Sequence, residues 1–283
     1  MGSIRQNRWK VFYQEVRPLL RCQRLTVNYA SATKPALCEI DFEMGPGEVV
    51  GILGESGCGK STLALSILGL LPATARVEGS ILFHDQDLLH LSESRLQTIR
   101  GAQISLIHQE PGLSLSPVMR VGEQISEVLR AHRPVKRTLR EQECKSMLCE
   151  VQLGDIDRIY NAYPHQLSGG ELHRVAIAQA RICRPELVIC DEPTSSLDVT
   201  IQAEILNLLR ELKRKFGMAM IFITHNPALL AGFADRVLVI YEGRIVEEGR
   251  VSQVFRRPLH SYTNELLQLV TPEEGRVAFH HEN

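Results

Sequence analysis

The sequence predicts an α/β fold built around a largely parallel sheet, and three observations carry this. Val49-Val50-Gly51-Ile52-Leu53 is an unbroken apolar run, the pattern of a strand covered on both faces, and a glycine-rich loop follows it. Leu187-Val188-Ile189-Cys190 is a second apolar run, ending in Asp191-Glu192. Beyond it, helical and strand patterns alternate, which favours parallel strands joined by helices.

The elements follow in order. Ala36, Cys38, Ile40, Phe42 and Met44 alternate with Leu37, Glu39, Asp41 and Glu43, predicting a half-buried strand. Gly45-Pro46-Gly47 is a turn into the strand at 49–53. Residues 61–71 read as a helix ended by Pro72, 79–89 as a strand and turn, and 92–100 as a polar helix. From 121 to 183 the texture is helical, in stretches at 121–132, 139–151 and 171–183, and Pro185 closes it. Residues 199–216 are amphipathic, with Ile201, Ile205, Leu208, Leu209, Leu212 and Phe216 on one face and Gly217 as the stop. A strand at 219–224, a helix near 227–233 and a strand at 236–241 come next. Glu242-Gly243 then turns the chain into a hairpin partner at 244–248, and the section from Arg250 is helical with a polar tail. The predicted build is an α/β core interrupted by a helical insertion, with a short C-terminal extension.

Composition narrows the function. A net charge of -1 gives no bulk attraction to nucleic acid, and none is expected as a partner. No apolar stretch is long enough to span a bilayer. The first ten residues lack the apolar centre of a secretory leader, and Gln6 stands where myristoylation wants Ser or Thr. Seven scattered cysteines with no CxxC pair argue against a zinc or redox site and fit reduced thiols.

The loop Gly54-Glu55-Ser56-Gly57-Cys58-Gly59-Lys60-Ser61-Thr62 matches the phosphate-binding pattern, between an apolar strand and a helix. Glycines let several backbone N–H groups converge on one anion, and the helix adds its positive end. Lys60 would reach the β- and γ-phosphates of ATP and the Ser61 hydroxyl would bind Mg²⁺. Cys58 reads as a small filler, with a thiol that the anion site could acidify. Downstream, Asp191 at the strand end would serve the Mg²⁺ shell, and Glu192 would act as general base on the attacking water.

Leu167-Ser168-Gly169-Gly170-Glu171 adds a Ser-x-x-Glu capping box that opens a helix. That explains the helix start but not the paired glycines, which suit close approach to a ligand. With this segment the chain resembles the ABC (ATP-binding cassette) ATPase family. From about Leu20 to Gly249, the glycine loop, Gln109, the 167–171 signature, Asp191-Glu192, Ser196-Leu197-Asp198 and His225 stand in the family order. The resemblance implies a P-loop NTPase core with an antiparallel β subdomain and an inserted α-helical subdomain. Its limits would be a core at 19–109 and 186–250, an insertion at 110–185, an N-terminal extension at 1–18 and a C-terminal extension at 251–283.

It also implies ATP hydrolysis by two cassettes facing head to tail. Each ATP would lie between residues 54–62 of one copy and Ser168, Gly169, Gly170 and Glu171 of the other. Tyr29 would stack on adenine, although a strand aromatic in the core explains it too. Gln109 would touch Mg²⁺ and water, Asp198 would lie at the dimer seam, and His225 would hold the γ-phosphate. Three positions depart from the usual pattern: His108 where Phe is frequent, His173 where Gln is frequent, and Asn226 where Asp is common.

Two further segments resemble the oligopeptide, dipeptide and nickel importer branch. One is Gln109-Glu110-Pro111-Gly112-Leu113-Ser114-Leu115-Ser116-Pro117-Val118-Met119 with Val121-Gly122-Glu123-Gln124-Ile125. The other is Arg257-Pro258-Leu259-His260-Ser261-Tyr262-Thr263 with Leu266-Leu267. The branch implies a peripheral subunit on the cytoplasmic face of the cell membrane that drives substrate import, of peptide or nickel. Its partners would be a second ATPase subunit, two membrane permease subunits and, indirectly, an extracytoplasmic binding protein. No cysteine follows Cys190, so no iron–sulfur cluster is expected in the tail. The alternatives are a soluble ABC ATPase acting on DNA or ribosomes, which would carry long coiled-coil insertions, zinc motifs or two cassettes, and a regulatory ATP-binding subunit, which Glu192 and His225 argue against.

Overall fold

A computed structural model describes residues 17–30, 32–195 and 197–268. Ser196, residues 1–16 of the predicted N-terminal extension and 269–283 of the predicted C-terminal one lie outside the described residues.

The chain starts with β1 (Leu20–Tyr29) and β2 (Leu37–Met44), which pair antiparallel. The alternation expected over 36–44 slips at Glu39, whose φ of 51° puts it in the left-handed region. Leu37 and Ile40 therefore both face inward, although their spacing has the wrong parity. The fully buried β3 (Val49–Leu53) and the helix α1 (Lys60–Ile67) follow. α1 is shorter than predicted, because Gly69 turns the chain at φ 60° before Pro72 is reached. Next come β4 (Ala75–Phe83), β5 (Gln86–Asp87), α2 (Glu93–Ile99) and β6 (Ile104–Ile107).

Five helices lie between β6 and the next strand: α3 (Pro111–Ser114), α4 (Val121–His132), α5 (Arg137–Glu150), α6 (Ile156–Asn161) and α7 (Gly169–Arg181). The chain then runs through β7 (Leu187–Asp191), α8 (Val199–Phe216), β8 (Ala219–Thr224), β9 (Arg236–Tyr241), β10 (Arg244–Arg250), α9 (Val251–Arg256) and α10 (Ser261–Gln268). The helix predicted near 227–233 is only a 3₁₀ turn at Pro227–Leu229.

Two sheets result. One is antiparallel, in the order β2-β1-β4-β5. The other has the order β10-β9-β3-β8-β7-β6, parallel from β9 to β6, with β10 added antiparallel. The fold is thus an α/β P-loop architecture with an antiparallel sheet and a helical layer. Alternate residues of β3 divide between the two cores: Val49 and Leu53 face the helical side, Val50 and Ile52 the antiparallel sheet. α8 buries Ile205, Leu208, Leu209 and Leu212 as predicted, and Leu206 as well. Phe216 sits at the edge instead, its ring covered by the Arg181 guanidinium at 3.6 Å.

Arg236 on β9 clips the two sheets together. Its Nε donates to Glu48 at 2.9 Å, and its other nitrogens donate to the Glu248 carboxylate and the Glu43 carbonyl. Glu48 is buried, and burial pushes the Glu248 carboxyl up against the pull of Arg236. Removing one member of such a group leaves buried charge uncompensated. Arg236→Ala is expected to cost about 3 kcal/mol, read as a lower urea midpoint of unfolding.

Candidate active site

Parallel register brings the strand ends level. Leu53 pairs with Thr224, Asp191 with Ile223, and Ile107 with Cys190. The residues that follow, Gly54, His225, Glu192 and His108-Gln109, therefore emerge side by side at the carboxyl edge of the sheet. That edge is where open α/β sheets present ligand groups.

The loop at 54–62 is closed behind and open in front. A Cβ at Gly54 would lie 2.4 Å from the Ile240 carbonyl oxygen, so only glycine lets the loop leave the strand beside β9. Gly59 caps α1 at φ 112°, with the Ala36 carbonyl 2.5 Å from where its Cβ would be. The loop carbonyls are engaged inward. Lys60 Nζ donates to Gly54 O at 2.8 Å and Glu55 O at 2.7 Å, and Gly243 N–H donates to Cys58 O at 3.1 Å. Among the described residues, no hydrogen bond uses the amides of Ser56, Gly57 or Gly59. Such a set of free N–H groups at a helix start is an anion cradle. Thr62 Oγ1 lies 3.3 Å from the Tyr29 hydroxyl, which places that ring beside the cradle.

Cys58 corrects the expectation of an acidified thiol. It is buried, and burial pushes its pKa up, outweighing the lowering by Lys60. The filler reading stands.

The acids lie next to the loop. Burial pushes Asp191 above the usual carboxylate range, against a hydrogen bond from Ser61 and the nearby His108 and Lys60. Glu192 follows with φ 46°, a strained value that turns its side chain off the strand line, and its N–H donates to Ile223 O at 3.0 Å. Its carboxylate meets His225 Nδ1 at 3.1 Å. The two line a cleft of about 200 Å³ with Thr194, Gln202, Thr224 and Asn226. Gln109 is exposed at the end of β6. The chain therefore brings 54–62, Asp191, Glu192, His225 and Tyr29 together.

The three departures have local explanations or none. Asn226 accepts from Ala228 N–H at 3.0 Å, a capping bond that an Asp would make equally. His173 Nδ1 donates to Gly169 O at 2.9 Å, and burial pushes its pKa down. Nothing in the structure explains His108 in place of Phe.

The signature segment stands apart. Ser168 Oγ accepts from Glu171 N–H at 3.3 Å, and Glu171 Oε2 accepts from Ser168 N–H at 2.8 Å, closing the capping box. Arg158 holds the other Glu171 oxygen. Asp198 caps α8 by accepting from Ile201 N–H at 2.9 Å and is exposed. Among the described residues, no hydrogen bond or ion pair joins 168–171 to 54–62. A Cβ at Gly169 would meet nothing within 4 Å, so this chain's own packing gives no reason for glycine there.

One residue of the site escaped sequence reasoning. The Tyr262 hydroxyl on α10 accepts the Glu55 N–H at 2.9 Å. The segment around it reads only as a branch resemblance, and a contact across 207 residues leaves no periodic signal.

Comparison with known proteins agrees with this geometry. Residues 37–195 match the family described as ABC transporter. The oligopeptide transport ATP-binding protein OppD of Salmonella typhimurium is 44% identical over 259 residues, 91% of this chain and 77% of that protein. The dipeptide transport ATP-binding protein DppD of Bacillus subtilis is 44% identical over 253 residues, 88% of this chain and 76% of that protein. A dimeric structure of the ATP-binding cassette MJ0796 in a post-hydrolysis state with ADP and Pi superposes with a TM-score of 0.72 at 28% identity, covering 82% of this chain and 98% of that one. The chain belongs to the ABC transporter family and is one of its ATP-binding, ATP-hydrolysing subunits.

Proposed function

We propose that this subunit drives import of peptides through separate membrane permeases, working as one half of an ATP-closed clamp. The single observation that carries the catalytic part is the cluster at the level strand ends. A cradle of free amides lies beside Ser61 and Asp191, and Glu192 and His225 lie next to them. The transport names of the relatives support peptides as cargo and count against the DNA- or ribosome-directed alternative. Among the described residues no helix is long and apolar enough to cross a membrane, which fits a peripheral place on the cytoplasmic face beside two permeases. An extracytoplasmic binding protein would deliver the cargo to them.

The donor set fits Mg²⁺. Among the described residues no three His, Cys, Asp or Glu side chains converge as a metal cage. One hydroxyl and one carboxylate, Ser61 and Asp191, with Gln109 at the adjoining strand end, suit a cation held mainly by water and phosphate oxygens. Bound there, Mg²⁺ would neutralise phosphate charge. The amides of Ser56, Gly57 and Gly59 hold the phosphates and Lys60 swings from its loop carbonyls to them. Tyr29 covers the adenine. Glu192 takes a proton from the attacking water, and His225 orients Glu192 before meeting the γ-phosphate. Ser168, Gly169, Gly170, Glu171 and Asp198 act on the nucleotide held by the second subunit. Closure pulls on the permeases through the Gln109–Pro117 region.

Glu192→Gln keeps the cradle but loses the base. It is expected to bind ATP, accumulate as a dimer in size-exclusion chromatography and hydrolyse at least about 100-fold more slowly. Wild-type turnover would remove Glu192 from that role. Gly169→Asp puts a side chain where this chain has room, at a helix start that favours an acid. Its unfolding midpoint and ATP affinity as a monomer should match wild type, while ATP-dependent dimerisation and hydrolysis are lost. Retained hydrolysis would show that the second subunit does not press on this glycine.

A further inference from the structure

The segment 257–263 is built into the nucleotide site, not merely attached after it. Glu247 on β10 is buried and accepts the N–H groups of Leu259 at 2.8 Å and His260 at 3.0 Å. This fixes the turn before α10. His260 Nδ1 then accepts the Tyr262 N–H at 3.2 Å, locking the first turn of that helix. The Tyr262 ring is buried against Tyr241, with centroids 4.2 Å apart, and its hydroxyl receives the Glu55 N–H at 2.9 Å. The carbonyl of the same Gly54–Glu55 peptide unit, Gly54 O, is held by Lys60 Nζ at 2.8 Å. One peptide of the loop is thus clamped at both ends, by the phosphate-seeking lysine and by the C-terminal helix.

We propose that Tyr262 is a positioning residue for ATP binding: by fixing the Glu55 peptide from behind, it holds the 54–62 loop in its anion-binding shape, with Glu247 and His260 as its supports. The physical reason lies in what happens without the hydroxyl. The Glu55 N–H faces a buried ring, and leaving it without an acceptor is costly. The peptide turns to find another acceptor, the carbonyl that Lys60 uses turns with it, and the cradle must be rebuilt each time ATP binds. Preorganisation is lost, so affinity falls while the fold remains. The inference rests on the reading of 54–62 as the phosphate loop.

The test is Tyr262→Phe in the full chain, which keeps the ring stacked on Tyr241 and deletes one oxygen. Affinity is measured by titration with a fluorescent ATP analogue in the presence of Mg²⁺, beside thermal unfolding and steady-state ATPase assays. The expected result is binding weakened about three- to tenfold, the worth of one hydrogen bond, with KM raised by a similar factor. kcat should hold within about twofold and the unfolding midpoint within about 2 °C. Lys60→Ala, measured in parallel, separates two failures. Wild-type affinity in Tyr262→Phe, with binding lost in Lys60→Ala, overturns the role of Tyr262 alone. Unchanged binding in Lys60→Ala overturns the phosphate-loop reading beneath it. A drop in Tyr262→Phe affinity matched by a fall of more than about 5 °C in unfolding reduces Tyr262 to a packing residue and overturns the proposal.

Discussion

The site depends on one constraint: the parallel strands β3, β8, β7 and β6 end at the same level. Register in a sheet is defended where a slip would move apolar side chains out of a core. Here the defence is double, because β3 and β8 are buried along their whole length and β7 along all but its last residue. A slip by one residue on any of them would bring a loop residue into the sheet and withdraw a polar group from the edge. Two hydrophobic cores, one on each face, thereby set the distance between Ser61 and Asp191 and the meeting of Glu192 with His225. The geometry of this edge is a consequence of packing several residues below it.

What stands on that edge is electrostatically unfinished. Asp191 is half-withdrawn from water, and burial disfavours its charge more than Ser61, His108 and Lys60 favour it. A positive charge arriving beside it relieves that burial cost. Lys60 leans on two carbonyls, which are weaker partners than phosphate oxygens. Each group therefore has more to gain from a polyanion with its cation than from its present contacts. The signature helix has the opposite character. Its capping box is complete, Arg158 holds Glu171, and Gly169 faces open space. It is a finished helix start, and among the described residues no hydrogen bond or ion pair joins it to the loop at 54–62.

How much of this was legible in the sequence follows from the range of each cause. The runs 49–53 and 187–190 announced their strands because burial on both faces demands apolar residues at every position. The glycine loop was legible because a Cβ at Gly54 or Gly59 would strike backbone, which cannot give way. β6 was missed because Ile104-Ser105-Leu106-Ile107 is short and broken by Ser105, a buried hydroxyl with no partner among the described residues. The early end of α1 was hidden because Gly69, not the more conspicuous Pro72, turns the chain. Apolar spacing put Phe216 on the buried face of α8, but the helix runs past the core there and an arginine covers the ring. Local pattern was informative wherever a local steric or solvation rule decided the matter, and silent wherever a distant partner did.

The distant partners share a direction. Beside the Ala36 carbonyl that limits Gly59, three contacts that brace the back of the loop come from the last third of the described chain. Ile240 limits Gly54, Gly243 takes the Cys58 carbonyl, and Tyr262 takes the Glu55 amide. The front of the loop, formed by Glu55, Ser56 and Gly57, is exposed. A peptide chain cannot offer several N–H groups to one point unless its carbonyls are occupied elsewhere, since each carbonyl left free would seek the same donors or water. Gly243, in the turn between β9 and β10, occupies the Cys58 carbonyl, and Lys60 occupies those of Gly54 and Glu55. The loop motif specifies a shape that glycine permits, and contacts from the C-terminal third, with Lys60 and Ala36, hold the loop in it.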